Sequence, residues 1–269
     1  VNAPFLEKHF GNTNGLLVKF EITNDLEYRG EDWEKYAHDY ELKSDKESDT
    51  QHLIQFLKFL TQASDKEFTQ EIERRFNTDR FLAWLAINTL LVDLDSYAGL
   101  GHNWYLYYNT DSKRFEFIPW DVNESFGNLQ VSPPEKMLRF DIRKPYMGDR
   151  ILIRRILAVE KYRAVYEFYL RTFIRDFFNP DFMGKEIDRL HALIDETVKN
   201  DSNPIYSYED FQKSADRNVE PQFKLLSQEI IGLKPFVTQR TESVLATLGR
   251  GRGRIDRRIQ SRRYQRFGN

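Results

Sequence analysis

Apolar residues recur every three to four positions over most of the chain, the spacing that places them on one face of an α-helix. Cap-forming side chains precede two of these segments, at Ser64 and Asn77. The segment after Asn77 is apolar on nearly all sides, so we expect it to be central. The predicted helices are 49–62, one beginning after Ser64 and Asp65, 80–92, 149–159, 160–177, 180–199, 218–231 and 235–248.

Shorter segments have the composition of β-strands. The run 15–21 predicts one strand. The runs 104–108 and 115–118 flank turn-forming residues, and Pro119 ends the second run, so together they predict a β-hairpin. The start of its first strand and the end of its second should therefore be neighbours.

The remaining segments lack a clear period. Residues 1–14 predict a loop, and the acid-rich stretch 23–49 predicts an irregular connector more than core. The stretch 129–148 has two consecutive prolines and mixed charges, which predicts a long surface loop. Such loops beside a site often contact substrate.

Composition narrows the classes of protein. The chain has 269 residues, 40% of them hydrophobic, which is enough to bury a large core. Its lack of a long apolar run and its mean hydropathy of -0.65 argue against a membrane span. The absence of cysteine excludes disulfides, thiolate metal sites and a cysteine nucleophile.

The net charge of -2 hides an uneven distribution. Residues 250–269 hold eight Arg and one Asp, whereas residues 1–249 hold 32 basic and 41 acidic residues. The tail has the charge to bind an acidic partner or an anionic polymer, nucleic acid included, although a solvated, partly disordered terminus is the simpler interpretation. We therefore expect a domain over 1–249 and a basic tail over 250–269.

Oxygen-bearing side chains collect at the open end of the predicted hairpin. Asn103 precedes its first strand, Asp121 follows its second, and Asp95 enters from the preceding loop. Mg²⁺ takes oxygen ligands and is commonly held by one or two carboxylates together with substrate phosphates. The same residue types are also common as helix caps and turn-formers. His102 either orients a neighbour or a phosphate, or is a packed, hydrogen-bonded histidine.

Several catalytic classes lack their motifs. The sequence contains no GxxxxGK[ST] loop, no GxSxG elbow and no HExxH pair, which argues against a Walker-type NTPase, a serine hydrolase and a zinc enzyme. Lys19, on the first predicted strand, either pairs with phosphates or is an exposed strand lysine.

Two blocks of sequence resemble a known family. The residues DSYAGLGHNWYLY at 95–107 and IPWDVNESFG at 118–127 are similar to the signature of the CotH kinase family, the relatives of spore coat protein H. The segments 3–21 and 151–166 also resemble parts of that family, and the resemblance extends to about Leu248.

The resemblance implies an α+β, protein-kinase-like fold with a metal and nucleotide site on the hairpin and a predominantly helical C-terminal lobe. It implies transfer of phosphate from ATP to Ser or Thr of partner proteins, with Mg²⁺ or Mn²⁺ bound. Asp95 would be the catalytic aspartate that accepts or orients the proton of the acceptor hydroxyl. Asn103 and Asp121 would hold the metal, and Asn123 would contribute a carbonyl oxygen.

The nucleotide contacts implied by the resemblance are less specific. Phe115 would stack on adenine, or it is a core residue of the hairpin. Lys19 and His102 would lie in the nucleotide pocket. Trp120 is expected to pack and to fix Asp121.

The sequence departs from the family in two respects. Asn123 stands where the family commonly has a second aspartate, which removes one charge from a second metal position. The N-terminal strands that would cover the ATP phosphates are expected upstream of Val1, so the N-terminal lobe is expected to be truncated.

Two other functions stay open. A catalytically weak or inactive kinase fold would act as a structural or assembly protein, and a metal-dependent phosphohydrolase would activate water with the same carboxylates. The resemblance places the protein in a spore coat or at the cell surface, with a coat or surface protein as acceptor. Nucleic acid is not the expected partner.

Overall fold

The structure is a computed structural model, and it describes residues 1–20, 26–44, 49–129, 131–202, 206–220 and 229–250. The described residues form ten helices and one sheet of four strands. The helices are α1 (Ala3–Phe10), α2 (Thr50–Gln62), α3 (Asp65–Arg75), α4 (Thr78–Leu91), α5 (Pro134–Leu138), α6 (Ile151–Ala158), α7 (Glu160–Asp176), α8 (Pro180–Lys199), α9 (Tyr208–Ser214) and α10 (Leu233–Arg250). The strands are β1 (Leu17–Phe20), β2 (Tyr40–Leu42), β3 (Trp104–Asn109) and β4 (Arg114–Pro119), and a short 3-10 helix covers Trp33–Lys35.

The sheet is antiparallel throughout, with the order β2-β1-β3-β4. Strands β3 and β4 form the predicted hairpin, in which Trp104 lies opposite Pro119 and Asn109 opposite Arg114. A mixed fold of helices and a small sheet confirms the α+β prediction.

Each face of the sheet is covered, because side chains alternate between the two faces of a strand. On one face, Val18, Leu106 and Phe117 pack into the main core formed with the helices. On the other face, Leu17 and Tyr105 pack against α1 and form a smaller cluster. Both faces of β3 are therefore buried.

Helix α4 lies at the centre, as its apolar pattern predicts. It packs against α7 and against β4. Phe81, Leu85 and Leu90 are buried along its length. Asn77 caps its first turn by accepting a hydrogen bond from the Arg80 backbone N–H at 3.3 Å. The candidate site begins at the C-terminal end of this helix.

The long predicted helices are confirmed within one to two residues at most ends, and α8 matches its prediction at both ends. Three predictions of irregular structure are wrong. Residues 3–10 form α1, which Asn2 caps and Gly11 ends in a left-handed conformation with a φ of 81°. Residues 134–138 form α5 inside the predicted loop.

The third wrong prediction concerns the predicted connector 23–49. Part of it forms the edge strand β2, and both Tyr36 and Tyr40 are buried in the main core. Three-residue strands and scattered aromatic residues give little periodic signal, which is why the pattern indicated no structure there.

Helix α9 was not predicted. The predicted helix 218–231 is wrong at its described ends, where Val219 and Ile230 form an isolated antiparallel β-bridge, and 221–228 lie outside the described residues. The basic tail 251–269 also lies outside the described residues. Among the residues that the structure describes, no helix is long and apolar enough to span a membrane.

Candidate functional site

The site begins where α4 ends. Val92 adopts a left-handed conformation with a φ of 51°, which ends the helix and turns the chain toward Asp93. The Asn88 side chain donates to the Asp93 carbonyl oxygen at 3.0 Å, and the Ser96 hydroxyl donates to the same oxygen at 2.8 Å. Asp93 is thus fixed by side chains on both sides of it.

The loop that follows is tightly wound. The Leu100 N–H donates to the Leu94 carbonyl oxygen at 2.8 Å, and the Gly101 N–H donates to that of Ser96 at 2.9 Å. A Cβ on Gly99 would lie 1.9 Å from the Leu94 carbonyl oxygen, so only glycine fits there. This winding places Asp95 near the start of the first hairpin strand.

Asp95, His102 and Asn103 form one hydrogen-bonded group. The Asn103 side-chain amide donates to Asp95 Oδ2 at 2.9 Å and to the Asp95 backbone carbonyl at 2.7 Å. His102 Nδ1 lies 3.1 Å from Asp95 Oδ1. Asn103 has a φ of 60°, a left-handed conformation that Asn tolerates better than most residues. The structure therefore brings these three predicted site residues together, with the carboxylate oriented between the other two.

Asp121 lies at the same end of the hairpin. The Trp120 N–H donates to the Asn103 carbonyl oxygen at 2.9 Å, which extends the strand pairing by one step beyond Trp104 and Pro119. Asp121 follows with a φ of 49°, and its side chain is exposed to solvent. The expected neighbourhood of Asn103 and Asp121 is thus present in the backbone.

Two further acids belong to this group and were not predicted as site residues. Asp93 is only 1% exposed, and its Oδ1 accepts the Asp95 N–H at 3.1 Å. Burial raises the pKa of Asp93 to about 6, and the negative charges of Asp95, Glu124 and Asp121 raise it as well. Asp93 Oδ2 has no hydrogen-bond partner among the described residues.

Glu124 is held by amides on either side of it. Asn123 Nδ2 donates to Glu124 Oε1 at 3.2 Å, and Asn128 Nδ2 donates to Glu124 Oε2 at 3.0 Å. Asn123 itself is exposed. The sequence shows that Asp93 lies close to Asp95 and that Glu124 lies close to Asp121. Asp93 is distinguished by its burial, which becomes apparent only in the folded structure.

The residues predicted to contact the nucleotide lie further apart than Asp95, His102 and Asn103 do. Lys19 lies in the middle of the sheet, opposite Tyr105 on one side and Glu41 on the other. Phe115 lies near the turn end of the hairpin, opposite the end with Asn103, and it is 2% exposed. Its ring packs on Phe56 with a centroid distance of 4.9 Å. The structure does not bring Phe115 near Asp95, and its surroundings favour the packing role.

Trp120, in contrast, is 45% exposed beside Asp121. Its ring meets Tyr105 edge to face at a centroid distance of 5.8 Å. Tyr105 is also the residue opposite Lys19 in the strand pairing. Trp120 and Lys19 therefore flank one tyrosine on the same face of the sheet.

The residues present fit a cation only in part. The described residues contain no group of three or more Asp, Glu or His side chains arranged to hold a metal ion. The unpartnered, buried Asp93 oxygen and the like charges around it are, however, the surroundings that a cation would stabilise. Amide and carboxylate oxygens are ligands for Mg²⁺ or Mn²⁺.

A cavity of about 270 Å³ opens beside the loop that follows Asp121. Asn123, Ser125, Gly127, Met137 and Ile231 are among the residues that line it. The N–H of Gly127 donates to the Leu91 carbonyl oxygen at 3.2 Å, which ties this loop to the end of α4. The cavity therefore adjoins the acidic group.

Comparison with known proteins identifies the family of this chain. The Inner spore coat protein H of Bacillus subtilis (strain 168) is 27% identical over 168 residues, which cover 60% of this chain and 44% of that protein. The Invasin CotH3 of Rhizopus delemar is 25% identical over 139 residues, which cover 50% of this chain and 23% of that protein. The chain thus spans less than half the length of these curated relatives. The family model described as CotH kinase protein matches residues 1–244, and this chain accordingly belongs to the CotH kinase protein family.

Proposed function

We propose that this protein transfers phosphate from ATP to Ser or Thr of a partner protein, in a reaction that depends on a divalent metal ion. The observation that supports this most is the hydrogen-bonded pair of Asp95 and Asn103 at the same end of the hairpin as Asp121. Phosphate transfer needs positioning and charge neutralisation more than covalent chemistry; this set offers positioning, and a metal ion held by it would neutralise charge. The protein-kinase-like arrangement of the fold is part of the proposal.

Asp121, Asn103 and Asn123 would hold the metal, with Asp93 and Glu124 adding negative charge around it. Mg²⁺ or Mn²⁺ would supply positive charge against the ATP phosphates when bound. The buried oxygen of Asp93 supports a cation here, because an unpartnered carboxylate oxygen away from water is costly.

Asp95 would act on the acceptor. Its two side-chain oxygens are oriented by Asn103 and His102, so that the carboxylate has a fixed direction. In that position it would orient the acceptor hydroxyl and accept its proton. His102 contacts Asp95 through Nδ1, and its Nε2 would be the nitrogen that meets a phosphate.

For the nucleotide, we propose Trp120 as the aromatic residue that stacks on adenine, in place of Phe115. An adenine ring needs an accessible aromatic face, and Phe115 is buried in the core whereas Trp120 is exposed beside Asp121. Lys19 would approach the phosphates from the same face of the sheet.

For the acceptor and the location, the support comes from the relatives. The names of the two relatives, a spore coat protein and an invasin, support a coat or surface location with a coat or surface protein as acceptor. The cavity beside Asn123 is where a segment of the acceptor would enter. The Arg-rich tail 250–269 would bind an acidic partner.

Product analysis tests the proposal against its two alternatives. The intact chain is incubated with γ-labelled ATP, Mg²⁺ or Mn²⁺, and dephosphorylated casein as a generic acceptor. Phosphoserine or phosphothreonine on casein or on the chain itself supports the kinase. Free phosphate without phosphoprotein would indicate a phosphohydrolase, and unchanged ATP would favour a structural or assembly protein. Asp95→Asn controls for contaminating kinases, since only activity of this chain is lost in it.

A further inference from the structure

The loop at 94–101 carries Asp95 and leads into His102. Its internal hydrogen bonds fix its shape, but its position on the core depends on contacts from outside. Besides the bonds that Asn103 makes to Asp95 and the packing of the Tyr97 ring on Trp104, hydrogen bonds to the loop come from the segment 147–152, which runs into α6. The Met147 N–H donates to the Ala98 carbonyl oxygen at 2.8 Å.

Arg150 makes the largest share of these contacts. Its side chain is largely covered, since the residue is only 8% exposed. Its Nε donates to the Tyr97 carbonyl oxygen at 2.7 Å, and one terminal nitrogen donates to the Gly99 carbonyl oxygen. The other terminal nitrogen donates to the Asp149 carbonyl oxygen at 3.2 Å. The guanidinium thus ties two residues of the loop to the start of α6.

The chemistry of arginine suits this task. The planar guanidinium has five N–H donors in a fixed fork, so it can hold two carbonyl oxygens at a set distance from each other. A lysine offers a compact charge on a flexible stem and cannot reproduce that fork. The geometry at Arg150 is therefore specific to arginine.

We infer that Arg150 is a positioning residue for phosphate transfer. It holds the Tyr97 and Gly99 carbonyl oxygens, and through them it keeps Asp95 in register with Asn103. This inference rests on the proposed function, because it assigns a purpose to the position of Asp95. In this role Arg150 acts through the loop and not on nucleotide or acceptor directly.

The test compares Arg150→Lys and Arg150→Ala with the intact chain. Displacing a reacting group by about 1 Å can lower a rate by roughly 100-fold, so we expect kcat to fall by about that factor in Arg150→Ala and by less in Arg150→Lys. The KM for ATP is expected to change less than kcat, because Trp120, Lys19 and Asp121 lie outside this loop.

Arg154→Ala is the matched control. Arg154 lies one turn further along α6, is more exposed, and donates to the Asp149 carboxylate at 2.7 Å. Its kcat is expected to match that of the intact chain. Hydrogen exchange of the backbone amides at 94–103 gives a second readout, and it should be faster in the Arg150 variants than in Arg154→Ala.

Each outcome decides the inference. Equal kcat in folded Arg150→Lys and Arg154→Ala overturns it, even if the loop amides exchange faster. If Arg150→Ala fails to fold, Arg150→Lys decides alone. If the intact chain transfers no phosphate, the proposed function has failed. Hydrogen exchange then still tests whether Arg150 holds the loop. Equal exchange in Arg150→Lys and Arg154→Ala then overturns the role of Arg150 in holding the loop.

Discussion

Burial of Asp93 is unfavourable for the stability of the fold, whereas its hydrogen bond helps to hold the candidate site. Its carboxyl group is buried, lies among other acids, and keeps one oxygen without a described partner. A buried charge without compensation destabilises a protein. Its Oδ1 nevertheless accepts the Asp95 N–H and so helps to hold the site.

Asp93→Asn is expected to stabilise the protein at high pH. The pKa of Asp93 is about 6 in the folded protein, whereas an unperturbed aspartic acid has a pKa of 3.8, so the folded state binds the proton more tightly. The stability that protonation supplies is fully present below pH 3.8 and is lost as the pH rises through 6. Asparagine does not ionise, so the variant does not lose stability in this pH range, and its Oδ1 can still accept the hydrogen bond.

The gain in unfolding free energy from Asp93→Asn should therefore be larger at pH 8 than at pH 4.5, by about 2 kcal/mol. Urea denaturation at the two pH values measures it. Asp176→Asn is the control: Arg175 lowers the pKa of that exposed carboxyl, so its contribution is lost only below pH 3.8, and the effect of this substitution should be nearly the same at pH 4.5 and pH 8. A gain for Asp93→Asn that does not change with pH would contradict the interpretation.

At this scale the sequence predicts part of the site. The convergence of Asn103 and Asp121 follows from hairpin pairing, which the turn residues and alternation indicate. The surroundings of Asp93, Phe115 and Trp120 do not follow, because exposure depends on which elements cover each side chain.

Trp120 offers a direct test of the nucleotide assignment. ATP is expected to quench the indole fluorescence of the intact chain, and the quenching should be lost in Trp120→Leu, because the other three tryptophans lie away from the site or in the core. Phe115→Leu is the comparison and should keep both quenching and affinity if it folds. Unchanged quenching in Trp120→Leu would show that adenine stacks elsewhere.

At the scale of elements, the end of α4 and the hairpin form one unit. Asn77 caps α4, its backbone N–H donates to the Phe115 carbonyl oxygen at 2.9 Å, and its side chain donates to Glu116 Oε2 at 2.7 Å. Glu116 is buried, and burial raises its pKa. One residue thus joins the start of the central helix to the strand that leads to Asp121.

Asn77→Ala is expected to lower the free energy of unfolding by more than the loss of an ordinary helix cap does. Loss of the cap costs about 1 kcal/mol, and leaving the buried Glu116 without this donor adds about 1–3 kcal/mol. Ser64→Ala at the exposed cap of α3 is the control and should cost only about 1 kcal/mol. Equal losses in chemical denaturation would mean that the bond to Glu116 contributes nothing.

Elements with a side-chain cap or a long apolar period were predictable from sequence, as α2, α3, α4 and α8 show. Helix α1 carried its signals at Asn2 and Gly11, but its eight residues give a weak period. Strand β2 has three residues at a sheet edge, and it is defined by pairing with β1 rather than by its own pattern. Short elements depend on tertiary contacts that a single sequence does not display.

At the scale of the whole molecule, the sheet and α4 present an acidic group at one end of the hairpin. Residues 1–249 have 41 acidic and 32 basic residues. Asp93, Asp95, Asp121 and Glu124 gather negative charge at this end of the hairpin, which suits a divalent cation. The family, matched over 1–244, and the geometry of Asp95, Asn103 and Asp121 support one account, in which metal and ATP bind there together.

ATP binding with and without Mg²⁺, followed by thermal shift, tests that account most directly. A ligand that binds only the folded state must raise its stability. We expect ATP to raise the Tm of the intact chain and of Asp176→Asn when Mg²⁺ is present, and to leave the Tm of Asp121→Asn nearly unchanged. An equal shift in Asp121→Asn, or no shift in the intact chain, would contradict a metal and nucleotide site at the open end of the hairpin.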